Sequence, residues 1–129
     1  MMKPALALRV LKGSLFALAA IGVTGSAIAQ AVPRSFVASP DVYKVIAQSN
    51  EYLVIEVTWK PGQRDKVHSH PADGGYYLTD CSLRWINPGG ATRDFYVPAG
   101  FSFANEPIAS HSMENTGKTD CKLIMFEPK

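Results

Sequence analysis

Beyond its first 29 residues the chain has no apolar run approaching the roughly 20 residues that a membrane helix needs. It also lacks a Lys/Arg cluster, a low-complexity tract and any stretch of helical hydrophobic periodicity. The first absence excludes stable membrane insertion by a helix. The second removes the electrostatic footprint expected of a nucleic-acid or anionic-membrane partner. The third excludes a linker, leaving about 100 residues for one domain with a real core. Cysteine is scarce too, with two residues in 129. Histidine is limited to three.

Residues 1–29 read as an export signal. Lys3, Arg9 and Lys12 give a basic start, residues 15–23 form a short apolar run, and Ala27-Ile28-Ala29 supplies a small-x-small cleavage pattern. Ala29-Gln30-Ala31 fits nearly as well, so cleavage would leave Gln30 or Val32 as the first residue. A periplasmic or secreted protein is expected. Those three basic residues go with the signal, leaving ten basic against eleven acidic residues and a formal charge of −1, although the whole chain counts +2. Residues 30–129 are expected to form the single domain.

Nine prolines and ten glycines punctuate short apolar stretches, the pattern of an all-β fold without helix. The clearest strand is 52–59, in which Leu53, Ile55, Val57 and Trp59 share one face. Further strands are expected at 42–47, around His68 and His70, at 76–78 after a break at Pro71 and Gly74-Gly75, and at 83–86, 92–97, 101–103, 110–114 and 122–127. Turns fall at Lys60-Pro61-Gly62-Gln63, Asn87-Pro88-Gly89-Gly90 and Asn115-Thr116-Gly117-Lys118. Eight or nine short strands point to a closed or sandwiched antiparallel barrel.

The chemistry concentrates in the histidines. Alternate strand residues face one side, so His68 and His70 point together and Ser69 points away. His111 on a facing strand would complete a three-nitrogen set suited to a divalent transition metal such as iron, zinc, nickel, manganese or copper. The bland alternative is three half-buried or surface imidazoles. His111, Met113 and Asn115 share parity, which turns Glu114 away; Asn115 is expected to shape the turn. Tyr76 and Tyr77 have opposite parity, so only one faces the site, where Tyr77 would serve as a hydrogen-bond donor. Trp85, Phe101 and Phe103 are core or cavity candidates. Arg84 and Arg93 are solvated strand residues or partners of a substrate carboxylate. Cys81 and Cys121 each follow a Thr-Asp pair beside a strand; they are either bridged or two separate buried thiols.

Together these motifs resemble the cupin superfamily, small jelly-roll barrels with an internal metal site. Gly62 is followed by five residues and His68-Ser69-His70, like the first cupin motif. Gly100, six residues, Pro107-Ile108-Ala109, Ser110, His111, three residues and Asn115 follow the second, with Ala109 where the family has glycine. The resemblance spans about residues 42–127 and is closest to small single-domain bacterial cupins. It implies a metal held by His68, His70 and His111, a small-molecule ligand or substrate, and suggests a homodimer. The glutamate of the first motif would fall at Gly74 or Gly75 and is absent. Asp73 is the nearest carboxylate and the single candidate for a general base.

Three functions remain open on this reading. One is a mononuclear metal enzyme, a dioxygenase or isomerase by family analogy. Another is a binding module for metal or a small ligand without turnover. The last is a structural jelly roll with vestigial histidines.

Overall fold

A computed structural model describes residues 29–129. The expected export signal lies outside the described residues except for Ala29. Nine strands follow a single short helix: α1 (Ser35–Ala38), β1 (Tyr43–Gln48), β2 (Tyr52–Trp59), β3 (His68–His70), β4 (Asp73–Tyr77), β5 (Cys81–Ile86), β6 (Thr92–Val97), β7 (Ser102–Asn105), β8 (Ile108–Asn115) and β9 (Cys121–Pro128). The strands form a five-stranded sheet, β1-β2-β9-β4-β7, and a four-stranded sheet, β3-β8-β5-β6. Every strand pair is antiparallel. This is the antiparallel sandwich that the strand pattern predicts and the jelly roll that the resemblance implies.

The core lies between the sheets because alternation puts one face of each strand inward. Along β2, Leu53, Ile55, Val57 and Trp59 are buried while their neighbours are exposed or half-buried. They meet Leu83 of β5, Met113 of β8, and Leu123 and Met125 of β9. Cys81 and Cys121, buried at the starts of β5 and β9, form a disulfide that joins the two sheets, with Cα atoms 5.1 Å apart. Asn115 closes the β8 turn as expected: its Nδ2 donates to the carbonyls of Trp59 and Thr119, and its Oδ1 accepts from the Gly117 amide.

Two expectations need correction. The helix Ser35–Ala38 was not anticipated; it is a single turn, too short to carry a hydrophobic period. Gly74 and Gly75 do not break a strand but lie inside β4. Gly75 is sandwiched between β9 and β7, and a Cβ there would come 2.5 Å from the Ile124 carbonyl oxygen and from the Phe103 ring. Glycine is required by close approach, and the Phe103 ring fills the place of the side chain.

Candidate metal centre and cavity

Register brings the three histidines together. His68 of β3 pairs directly with His111 of β8, and an irregularity after it pairs His70 with Ile108. One ring nitrogen from each imidazole lies within 4.8 Å of the others, and all three side chains are buried. The centroids of His68 and His111 are 4.5 Å apart, and Trp85 covers His111 at 4.0 Å.

The outer nitrogens determine the tautomers. His68 Nδ1 stands 2.7 Å from the Lys66 carbonyl oxygen, and His70 Nδ1 stands 2.5 Å from Glu127 Oε1. Both neighbours only accept, so each Nδ1 carries the proton and donates it. In the neutral rings both Nε2 atoms then bear lone pairs, and these face each other at 2.9 Å. A cation between or beside them would satisfy both. With His111, the three ring nitrogens lie close enough to share one ion. His111 adds a second observation: neither of its ring nitrogens has a partner, although both are buried. Burial, reinforced by His68 and His70, lowers its pKa to about 2, so its lone pair stays free at neutral pH. Burial likewise lowers His68, against the opposing pull of Asp65 and the Lys66 carbonyl. The donor set fits a divalent transition metal.

Around the triad sits a polar frame that carries no motif. Asp65, in the β2–β3 loop, accepts from Tyr43 Oη at 2.7 Å, Trp59 Nε1 at 3.0 Å and the Met113 amide at 2.7 Å. Burial, with Asp65 adding to it, raises the Tyr43 hydroxyl well above its ordinary pKa, so it remains a donor. Glu127 is fully buried at the end of β9 and is also reached by Arg34 Nη2 at 2.7 Å. Burial pushes its carboxyl up, but the hydrogen bonds from His70 and Arg34 outweigh this and hold it below its usual range. Arg34 belongs to the segment before α1, which lies along β3: the Ser69 amide donates to the Pro33 carbonyl at 2.9 Å.

Asp73 is therefore not the only carboxylate near the histidines; Glu127 and Asp65 are both closer to a ring Nδ1 or equal to it. Glu127 shares strand parity with Leu123 and Met125, an inward placement that its alternation could have signalled. Arg34 and Asp65 have no comparable sequence signal.

A cavity of about 340 Å3 opens beside His70 and His111. Asp73 lies in its wall, buried, with Oδ1 accepting from Asn105 Nδ2 at 2.9 Å. Burial raises the Asp73 carboxyl from its usual range, partly countered by His70 and Asn105. Tyr77 faces the cavity and Tyr76 is exposed; burial, with Asp73, raises the Tyr77 phenol to about 12, so it keeps its proton. Trp85, Phe101 and Phe103 line the cavity, as does Arg93. Arg84 instead pairs with Asp94 at 2.7 Å on the surface, and half-buried Glu114 lies beside it, away from the site.

Comparison with known proteins gives one family and several fold relatives. The family model described as "Cupin domain" matches residues 55–127. No curated protein matches. Among solved structures, a cupin domain from Bordetella pertussis is 20% identical, covers 78% of this chain and 98% of its own, and superposes with a TM-score of 0.61. An uncharacterized conserved protein with a double-stranded beta-helix domain from Klebsiella pneumoniae is 19% identical over 67% of this chain and 75% of its own, at 0.53. A polyketide cyclase from Streptomyces resistomycificus is 15% identical over 67% and 63%, at 0.52. At these identities the likeness establishes the fold alone.

Proposed function

This chain belongs to the cupin domain family, and on that basis we propose that it holds a divalent transition metal on His68, His70 and His111 and uses it on a small molecule in the adjoining cavity. The observation that carries the reading is the 2.9 Å approach of the His68 and His70 Nε2 atoms, beside a buried His111 with two unpartnered nitrogens. Buried polar atoms are normally satisfied, and one cation would satisfy all three rings. Bound there, the metal would supply Lewis acidity or oxygen activation, which fits an isomerase or a dioxygenase. The chain's own groups do the rest. Lys66 and Glu127 would hold two rings in the ligating tautomer, Tyr77 would donate a hydrogen bond to a small molecule in the cavity, and the aromatic walls would exclude water.

A second reading is a module that captures metal or a small ligand without turnover. It is favoured by the engagement of Glu127 with both His70 and Arg34, which occupies it outside the cavity and leaves the wall with Asp73 alone as a carboxylate. Export to the periplasm or beyond is part of the proposal. The pattern of residues 1–29 supports it, and so does the disulfide, which suits an oxidising compartment.

The test is elemental mass spectrometry on untagged protein beginning at residue 30, beside His111→Ala. Near-stoichiometric metal that is lost in the variant supports the centre. Absence of metal after reconstitution removes it. Oxygen uptake by the iron-loaded protein across a small-molecule library then separates turnover from capture.

A further inference from the structure

The cavity walls say what kind of molecule enters. Its volume of about 340 Å3 is roughly twice the 150 Å3 that accommodates benzene in an apolar protein interior. Trp85, Phe95, Phe101 and Phe103 present ring faces and edges to it, and Met113 and Met125 add polarizable thioethers that pack well on aromatics. Besides His111, this wall holds a second unsatisfied acceptor. Asp73 is 8% exposed; its Oδ1 is used by Asn105, its cross-strand partner, but its Oδ2 is buried without a partner. The nearest proton, on His70 Nδ1 at 3.6 Å, is already given to Glu127. A buried carboxylate oxygen left unpaired is costly, so the occupant should bring the donor.

We infer that the cavity binds a one- or two-ring aromatic compound bearing a hydroxyl group, the ring lying among the aromatic side chains and the hydroxyl donating to Asp73 Oδ2. A phenolic hydroxyl lies in the ring plane, so the face can stack while the edge donates. A carboxylate in the same place would meet Asp73 as a like charge. An acidic substituent is instead served by Arg93, an exposed residue of the lining whose guanidinium lies 5.7 Å over the Phe95 ring. This inference rests on the small-molecule half of the proposed function and not on its metal half.

Equilibrium dialysis of zinc-loaded and chelator-treated protein at pH 8 against 2-naphthol and 2-methoxynaphthalene tests it. The two probes share the ring system and the ring-bound oxygen, but only the first donates, and the ether adds a methyl group. The wild type is expected to bind 2-naphthol about tenfold or more tightly than the ether. Asp73→Asn puts an N–H where Oδ2 stands, since Asn105 still requires an acceptor at the other position; the preference should vanish or reverse. Asp73→Ala should abolish it. Equal binding of the two probes by wild type, no binding of either, or a preference that survives both substitutions would overturn the inference. If neither variant folds, the wild-type pair decides alone. Metal binding that fails while the naphthol preference holds counts against the metal centre only, and metal retained with equal binding counts against this inference only.

Discussion

Glu127 and His70 are 57 residues apart in the chain, yet the carboxylate accepts the His70 Nδ1 proton at 2.5 Å. The contact turns the other nitrogen of the ring toward His68 and His111, so a strand of the five-stranded sheet aims a histidine of the four-stranded one. Carboxylates that orient a ligating imidazole in this way typically contribute tenfold to a hundredfold in metal affinity. Glu127→Gln, which conserves shape, should weaken zinc or cobalt binding by about that factor while the histidines stay in place. Chelator competition measures it; unchanged affinity would remove the orienting role.

Arg34 holds the same carboxylate from outside, donating to Glu127 Oε2 and to the Pro128 carbonyl, each at 2.7 Å. Arg34→Ala should therefore lower metal affinity although the residue touches no ligand. Arg34→Lys should restore part of the loss, because charge survives while the two-acceptor geometry does not. The visible bands of cobalt-substituted protein provide an independent reading: a shift in Arg34→Ala that Lys partly reverses marks positioning rather than bulk stability.

In metal-free protein the buried histidines make stability depend on pH. His111 has a folded pKa of about 2 against about 6.5 unfolded. The unfolded chain thus takes up a proton that the folded one refuses. Stability is full above about pH 6.5 and is lost progressively as pH falls toward 2, by about 1.4 kcal/mol per pH unit from this residue. His68, also lowered, acts in the same direction. Glu127, held below its usual range, joins only below about pH 4.3. Urea midpoints with chelator present should fall between pH 7.5 and 5, and His111→Phe should flatten the slope. A level wild-type profile would contradict the burial argument.

Asp65 ties β1, β2 and β8 beneath the triad through three buried hydrogen bonds. Asp65→Ala strands all three donors and should cost roughly 3 kcal/mol or more, at about 1–3 kcal/mol for each buried group left unpaired. Asp65→Asn retains an acceptor and should cost less. Chemical denaturation of both variants gives the ordering, and equal losses would argue against the hydrogen-bond account.

The disulfide closes a loop with a sequence separation of 40. On the chain-entropy account that is worth about 4 kcal/mol. Cys81→Ala with Cys121→Ala should lower unfolding stability by up to this amount while the β5 and β9 pairings persist. Loss of the fold altogether would show that the sheets cannot stay packed without the link.

The strands and the inward histidines were readable because each is a local pattern, whereas the bridge between Cys81 and Cys121 was one of two open readings. Parity turns His68 with His70 and separates Tyr77 from Tyr76, and turn residues bound β2 and β6. The carboxylate frame was not readable, since it depends on registry between distant strands. Arg34 and Glu127 are 93 residues apart, and no spacing rule connects them. The glycine pair misled for a related reason: Gly75 resembles a strand break until β7 and β9 are known to pass on either side of it.

That same glycine has an evolutionary reading. The Ile124 carbonyl and the Phe103 ring both stand 2.5 Å from the place a Cβ on residue 75 would take. A glutamate introduced there collides with both, and trimming Phe103 removes only one obstacle. The other is the backbone of β9, which must move to make room, and β9 is the strand that carries Glu127. A side chain at position 75 is thus incompatible with the present course of β9, the strand whose far end places Glu127 on His70.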